Sequence, residues 1–229
     1  MNTIRAIYFD AVGTLIHPEP AVGVVYAEAG RRFGSRYTSE IIAQRFGEAF
    51  QAQEALDRAN GWITSEQRER RRWRDIVGTV LDNAADPASC FDFLYSHFAR
   101  PESWRCEPGA DVLFKELAGR DYILGLASNL DERLYALVHG LAPLQLLSKN
   151  IVVSCAVGFR KPAREFFQAM CRQTGLLPAK ILHVGDDPGN DYAGAEAAGM
   201  RALLFDPRGK YENLSAMRIR TLGEVCTSL

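Results

Sequence analysis

Residues that could do chemistry stand at or soon after the ends of short apolar segments of the chain. In chain order they are Asp10, Ser128, Asn129, Lys161, Asp186, Asp187 and Asp191. An aspartate just beyond the carboxyl end of a central parallel strand lies where open α/β sheets bind their ligands. Gly13 would let the backbone turn tightly beside that aspartate. Each residue taken singly could also be a turn or helix-capping residue, so the prediction depends on whether the fold brings them together.

The acidic segment of residues 184–191 indicates a divalent cation. It reads Val-Gly-Asp-Asp-Pro-Gly-Asn-Asp and holds three carboxylates within six residues. Like charges this close repel one another unless a cation is present, and Mg²⁺ prefers a few carboxylates together with water and phosphate oxygens. A Gly- and Pro-rich turn with helix-capping aspartates is the alternative interpretation of the same residues.

The elements that must position these residues alternate between two types. Five short apolar segments are typical of buried strands: residues 4–9, 122–127, 151–153, 181–184 and 202–205. Four of the intervening segments have apolar residues at helical spacing: residues 109–119, 130–139, 163–174 and 189–198. Short buried strands separated by single helices predict a parallel α/β sheet that is covered on both faces.

Residues 20–100 interrupt this alternation and predict a separate group of helices. They contain no convincing strand, and apolar residues recur at helical spacing in four stretches. Thr64 with Gln67 fits a capping box, and Asp86 followed by Pro87 fits an N-cap with proline at the first helical position. We therefore expect four antiparallel helices inserted after the first strand.

The predicted helix at 66–75 is rich in arginine, which raises the question of a nucleic-acid partner. Its arginines are Arg68, Arg70, Arg71, Arg72 and Arg74. The whole chain has 27 basic and 28 acidic residues and a net charge of −1, whereas proteins that bind phosphate backbones are normally basic. We therefore expect no nucleic-acid partner. We assign the arginines to the solvated face of a helix whose apolar face begins at Trp73.

Length and composition exclude several other classes of protein. The 229 residues are 47% hydrophobic and 24% charged, which is ordinary for a globular protein and excludes disordered or collagen-like chains. Five scattered cysteines form no Cys-x-x-Cys pair, so we expect reduced thiols and not a disulfide framework or a zinc site. No apolar segment has the length of a membrane span. We expect a cytoplasmic protein with no membrane partner, and the sequence does not indicate an oligomeric state.

Taken together, the ordered motifs resemble the haloacid dehalogenase-like hydrolase superfamily. The resemblance covers residues 4–17 and 104–206, and the helical insert is similar to that family's helical cap. It implies an α/β fold in which a doubly wound, Rossmann-like parallel sheet carries an inserted four-helix cap. The domains expected on this basis are a core of residues 1–17 and 104–229 and a cap of residues 18–103, with the active site between them.

The resemblance also implies a catalytic role for three of the motif residues. Asp10 would be the nucleophile and would form an aspartyl intermediate that water then hydrolyses. Ser128 would hold the transferring group, and Lys161 would neutralise charge on the nucleophile and on the phosphoryl oxygens. The further positions expected to bind the phosphate or substrate are Ala11, Thr14 and Asn129.

A Mg²⁺ cofactor is implied in the same way. Asp10 and Asp186 would bind the ion directly, together with the main-chain carbonyl of Val12. Asp187 or Asp191 would support its water ligands or orient the catalytic lysine. The expected partner is a small phosphorylated molecule, or a haloacid if the chemistry is dehalogenation.

Val12 departs from the pattern of the family's phosphatases, which have a second aspartate two residues after the nucleophile. That aspartate protonates the leaving alcohol and later activates water, and a valine can do neither. Losing a general acid–base group typically costs about 10²- to 10⁴-fold in rate.

Three interpretations of the function therefore stay open. The first is a Mg²⁺-dependent phosphatase that hydrolyses a small phosphorylated metabolite and works best on good leaving groups. The second is a catalytically weak or silent module that binds phosphate and metal. The third is a 2-haloacid dehalogenase, in which halide leaves without a proton. The acidic segment favours the first, since each unneutralised carboxylate opposes a haloacid by roughly 4 kcal/mol at about 4 Å.

Overall fold

A six-stranded parallel sheet forms the centre of the protein, whose computed structural model describes residues 4–229. The described residues form eight strands, of which six belong to this sheet and β2 and β3 form a separate pair. In chain order they are β1 (Ala6–Phe9), β2 (Ile16–Pro18), β3 (Trp104–Cys106), β4 (Ile123–Ser128), β5 (Ile151–Val153), β6 (Ile181–Gly185), β7 (Arg201–Phe205) and β8 (Arg218–Ile219). The order across the sheet is β5-β4-β1-β6-β7-β8, and each pairing is parallel. The predicted parallel α/β sheet is confirmed. The first three residues of the predicted 1–17 core segment lie outside the described residues.

Helices cover both faces of this sheet. The helices in chain order are α1 (Val22–Arg32), α2 (Ser39–Ala59), α3 (Glu66–Val80), α4 (Pro87–His97), α5 (Ala110–Gly119), α6 (Arg133–Gly140), α7 (Ser154–Val157), α8 (Arg164–Thr174) and α9 (Gly194–Ala197). Side chains of β1 alternate between two hydrophobic clusters: Ile7 and Phe9 pack with α5 and α6, and Ala6 and Tyr8 pack with α8 and α9. No helix within residues 4–229 is long and apolar enough to cross a membrane.

The predicted helical insert is confirmed as α1–α4, which share a hydrophobic cluster of their own. Asp86 caps α4 as predicted. The predicted capping box of α3 is wrong, because Ser65 is the N-cap and its hydroxyl accepts from the backbone N–H of Arg68 at 3.2 Å. Thr64 instead donates its hydroxyl to the carboxylate of Glu69 at 2.6 Å.

The arginines of α3 do not all face solvent, so that prediction is wrong for Arg72. Its side chain is 1% exposed and donates to Asp57 at 2.9 Å and to Glu54 at 2.8 Å. Arg72 follows Glu69 by three residues and precedes Ile76 by four, which places it on the buried stripe of the helix. A buried ion-paired network therefore lies between α2 and α3.

Backbone hydrogen bonds join the helical insert to the sheet domain on two sides, and side-chain contacts such as that of Arg160 with Glu69 add to them. The antiparallel pair of β2 and β3 carries the chain out to the helices and back. On the other side, the backbone N–H of Arg160 donates to the carbonyl of Trp62, and that of Thr64 donates to the carbonyl of Gly158, each at 2.9 Å. The segment that carries Lys161 is thereby attached to the helices above the sheet.

Candidate active site

The predicted motif residues converge in one cavity of about 430 Å³ at the carboxyl ends of the central strands, beneath α1–α3. Those on its wall are Asp10, Val12, Ser128, Asn129, Lys161, Asp186, Asp187 and Asp191. They meet because β1 lies between β4 and β6, so that the ends of three parallel strands share one edge. Ala11 and Thr14 are fully buried behind this wall.

Lys161 joins two of the carboxylates. Its Nζ donates to Oδ1 of Asp10 at 2.6 Å, to Oδ1 of Asp191 at 2.6 Å and to the carbonyl of Ala127 at 2.9 Å. Burial lowers the pKa of Lys161, but the charges of Asp10 and Asp191 outweigh it and leave that pKa raised. The ammonium is therefore a fixed positive charge beside the carboxylate of Asp10.

Asp191 is held on both of its carboxylate oxygens. Oδ1 also accepts from Nε2 of His183 at 2.9 Å, and Oδ2 accepts from the backbone N–H of Asp187 at 3.1 Å. Burial opposes ionisation, yet Lys161 and His183 together lower the pKa of Asp191. A Cβ on Gly185 would lie 2.2 Å from Cγ of Asp191. The carboxylate of Asp191 can therefore pack against the end of β6 only because residue 185 is a glycine.

Asp10 and Asp186 form the part of the cluster that fits a cation. Carboxylate oxygens of Asp10, Asp186 and Asp191 lie within 4.8 Å of one another. Burial raises the pKa of Asp10 to about 8, with Lys161 opposing the rise and the two other aspartates adding to it. Burial and then the charge of Asp191 raise the pKa of Asp186 to about 6. The oxygens of Asp191 are already engaged by donors, so Asp10 and Asp186 are the pair that suits a hard ion such as Mg²⁺.

The turn after β1 is shaped to receive Asp186. The hydroxyl of Thr14 donates to Oδ1 of Asp186 at 3.1 Å. Gly13 has a positive φ of 97°, and a Cβ on it would lie 2.5 Å from Oδ2 of the same carboxylate. Thr14 was expected to bind the phosphate. It is instead buried behind the cavity wall, where its hydroxyl contacts the carboxylate of Asp186.

Ser128 and Asn129 end β4 with different contacts. Oγ of Ser128 accepts from the backbone N–H of Leu130 at 3.2 Å, so its own O–H can donate into the cavity. The amide of Asn129 accepts from the backbone N–H of Lys161 at 2.7 Å and donates to the carbonyl of Lys161 at 3.0 Å. The Asn129 side chain therefore positions the lysine segment.

Asp187 has the capping role that the sequence allowed as an alternative. Its Oδ1 accepts from the backbone N–H groups of Gly189 at 2.7 Å and Asn190 at 2.8 Å, at the start of the helical turn Pro188–Ala193. Of the two aspartates expected to orient the lysine, Asp191 is the one that contacts Lys161.

Sequence reasoning missed the charged residues on the opposite wall. They are Glu54, Arg72, Arg133 and Arg160. The arginines pair with buried carboxylates: Arg160 with Glu69 at 2.5 Å, Arg133 with Asp131 at 2.6 Å, and Arg72 with Asp57 at 2.9 Å. One signal was present, since Glu69 and Arg72 are three residues apart on the apolar stripe of α3.

Comparison with known proteins places this site in a family. A family model described as haloacid dehalogenase-like hydrolase matches residues 4–199. The chain is 30% identical over 208 residues to haloacid dehalogenase-like hydrolase domain-containing protein 3 of Mus musculus, which covers 88% of this chain and 81% of that protein. It is 25% identical over 239 residues to ribulose-1,5-bisphosphate 5-phosphatase of Halopiger xanaduensis, covering 96% of this chain and 97% of that protein.

Solved structures agree with the fold. The HAD-hydrolase YfnB from Bacillus subtilis, bound to magnesium, superimposes with a TM-score of 0.77 at 22% identity and covers 99% of each chain. Other solved structures with this fold are phosphatases and haloacid dehalogenases. The fold alone therefore does not choose between these two reactions.

Proposed function

Because the chain belongs to the haloacid dehalogenase-like hydrolase family, we propose that it is a Mg²⁺-dependent phosphatase that acts through an aspartyl phosphate on Asp10. Its substrate is a small phosphorylated metabolite. The observation that carries the proposal is the cluster in which the buried Lys161 forms a hydrogen-bonded ion pair with Asp10, and the carboxylate of Asp186 lies beside that pair. Residues 1–17 and 104–229 form the catalytic domain in this proposal, and residues 18–103 form the cap.

Asp10 and Asp186, with the main-chain carbonyl of Val12, are the residues that would hold Mg²⁺. When bound, the ion supplies positive charge that offsets the carboxylates and the incoming phosphate. This fits the raised pKa values of Asp10 and Asp186, because a nearby cation favours the ionised carboxylates.

The chain's own residues position the phosphoryl group and the nucleophile. A carboxylate oxygen of Asp10 attacks phosphorus, and the bond from phosphorus to the leaving oxygen breaks in line with it. The ammonium of Lys161, fixed by Asp191, balances charge on Asp10 and on the phosphoryl oxygens. The hydroxyl of Ser128 donates to the transferring group. Water then hydrolyses the aspartyl phosphate and restores the carboxylate.

Val12 decides which leaving groups this site tolerates. Its side chain is 38% exposed and lies on the cavity wall near Asp10, where it cannot give or take a proton. The leaving oxygen therefore departs without protonation by this position, which favours esters of acidic alcohols. The same observation favours the second candidate function, a weak or silent module that binds phosphate and Mg²⁺.

Dehalogenation fits the site less well than phosphate transfer. A 2-haloacid substrate carries a carboxylate. Asp186 lies beside the nucleophile that this substrate must approach, and no salt bridge to a lysine or arginine of residues 4–229 offsets its charge, whereas Lys161 offsets that of Asp191. Each unneutralised charge opposes that approach by roughly 4 kcal/mol at about 4 Å and an effective dielectric near 20. A phosphate that arrives with a divalent cation avoids this repulsion.

Hydrolysis of p-nitrophenyl phosphate tests the proposal. We expect turnover with Mg²⁺, none with EDTA, and a loss of at least about 10³-fold in Asp10→Asn, because the amide is not a nucleophile. Asp111→Asn, which changes an exposed aspartate of α5, is the matched control and should keep full activity.

Two outcomes would contradict the phosphatase assignment. Halide release from 2-chloropropionate that persists in EDTA would indicate a dehalogenase. Binding of Mg²⁺ and phosphate without turnover of any ester would indicate the silent module.

A further inference from the structure

We infer that the substrate is an aryl phosphate, a phosphomonoester of a phenol, whose ring lies against a band of aromatic side chains in the active-site cavity. The inference rests on the proposed function and names the substrate class that this site selects.

The wall of the cavity away from the carboxylates is a continuous band of six aromatic rings. In spatial order they are Trp104, Phe98, Tyr26, Phe46, Phe50 and Trp73. The centroids of successive rings are 6.0, 6.4, 5.1, 6.2 and 6.5 Å apart. These spacings lie in the range of direct aromatic contact. Because Trp104 comes from the sheet side and the other rings come from the helical insert, the band crosses the junction between them.

Val12 and Leu130 add two aliphatic side chains to the wall of the same cavity. Both line the cavity, and Val12 stands two residues after Asp10. A phosphoryl group at Asp10 therefore has an apolar surface beside it, where the leaving group must lie. A cavity of about 430 Å³ is within the usual range for a small ligand.

The charged residues on the wall disfavour a substrate with a second anionic group. Among the described residues that line the cavity, each lysine and arginine already pairs with a carboxylate. Two of these guanidinium groups also stack on the band, with Arg72 4.6 Å from the ring centre of Phe50 and Arg133 5.5 Å from that of Trp73. None of these four cations is therefore unpaired and available to a further phosphate or carboxylate.

An aryl ester suits a site in which Val12 stands at the position of the usual proton donor, because its leaving group needs no protonation. Asp10 forms the new bond to phosphorus as the bond to the phenolic oxygen breaks. The electron pair stays on that oxygen, which then takes a proton from solvent water. Phenols such as that of tyrosine have a pKa of about 10, well below alkyl alcohols, so their anions leave without a protein acid. Water hydrolyses the aspartyl phosphate to inorganic phosphate and restores Asp10.

A pair of substrates separates recognition of the ring from the acidity of the leaving group. Phenyl phosphate and hexafluoroisopropyl phosphate have leaving groups of similar acidity, but only the first has an aromatic ring. We expect kcat/KM for phenyl phosphate to be higher by about tenfold, the scale of a good aromatic contact.

The variant Phe50→Leu tests the band directly, because it keeps an apolar side chain and removes one ring. It should raise KM for phenyl phosphate about fivefold without changing kcat, and should raise KM for hexafluoroisopropyl phosphate much less, because only the phenyl ring loses an aromatic contact. Phe93→Leu is the matched control, since Phe93 belongs to the same helical cluster but does not line the cavity. It should change neither KM nor kcat for either ester.

Equal kcat/KM values for the two esters in the unaltered protein would overturn the inference and leave the phosphatase assignment intact. If neither ester is hydrolysed, the proposed function fails. Calorimetry with phenylphosphonate and methylphosphonate in Mg²⁺ then tests whether the cavity still recognises an aromatic ring. Tighter binding of phenylphosphonate supports the aromatic site, and equal binding of the two phosphonates overturns it.

Discussion

If Asp10 is the nucleophile, as we propose, Val12 separates two functions: the site can hold a phosphate, but position 12 cannot protonate the leaving group. Its side chain is on the cavity wall, so an aspartate there would reach the same space. We expect Val12→Asp to raise kcat on an alkyl phosphate by about 10²-fold, because the new carboxyl can protonate an alkoxide. Turnover of p-nitrophenyl phosphate should rise less, since that leaving group needs no proton and only the hydrolysis of the aspartyl phosphate gains from the new carboxylate. Steady-state kinetics on both esters measure the difference.

Val12→Asn is the control for this prediction, because it matches aspartate in size and polarity but transfers no proton. It should leave both rates close to those of the unaltered protein. A gain as large with asparagine as with aspartate would attribute the effect to polarity. No gain with aspartate would mean that position 12 does not face the leaving oxygen.

The turn between β6 and α9 decides whether Lys161 is held in place. Gly185 ends β6, and a methyl group there would lie 2.2 Å from Cγ of Asp191. We expect Gly185→Ala to displace Asp191 and to lower the free energy of unfolding by about 1–3 kcal/mol, the usual scale of overpacking. Because Lys161 then loses one of its two carboxylates, kcat should fall as well.

Gly189→Ala is the matched control in the same turn. A methyl group on Gly189 would meet only Oδ1 of Asp187, at 3.4 Å, and its backbone φ is not positive. Denaturant unfolding and steady-state kinetics compare the two variants. Equal effects of the two variants would show that Gly185 has no special role in holding Asp191.

The sequence predicted where these elements end better than it predicted what their side chains contact. The apolar strand segments are clear, so Asp10 and Asp186 could be assigned to one edge of a sheet. The contact of Asp191 with Lys161 could not be predicted, because it depends on how the turn Pro188–Ala193 folds back under the lysine. The N-cap of α3 is Ser65, one residue after the predicted Thr64, because Thr64 uses its hydroxyl on Glu69 of the same helix.

For the molecule as a whole, helical spacing identified the insert but not its polar interior. Amphipathic periodicity shows which stripe of α3 is buried, and it assumes that charged residues lie elsewhere. Arg72 breaks that assumption because Asp57 and Glu54 of α2 neutralise it. Such pairing requires two separate segments to meet, so it is not visible in the spacing of either segment alone.

The same network attaches the helical insert to the sheet domain through Arg160 and Glu69. Their side chains are 4% and 1% exposed and 2.5 Å apart, and Arg160 immediately precedes Lys161. Removing one partner of a buried pair leaves a charge uncompensated. We therefore expect Arg160→Met to lower the free energy of unfolding by about 3–5 kcal/mol. The double variant with Glu69→Met should lose less than the sum of the single changes, because it leaves neither partner unpaired.

Denaturant unfolding of the two single variants and the double variant measures this coupling. Arg70→Met is the control, because Arg70 lies on the same helix as Glu69 and its pair with Asp92, at 3.6 Å, is exposed to water. It should change stability little. If Arg160→Met is no more destabilising than Arg70→Met, the buried pair does not hold the insert to the sheet. The contact beside Lys161 would then depend on the backbone hydrogen bonds from residues 158–160 to residues 62–64.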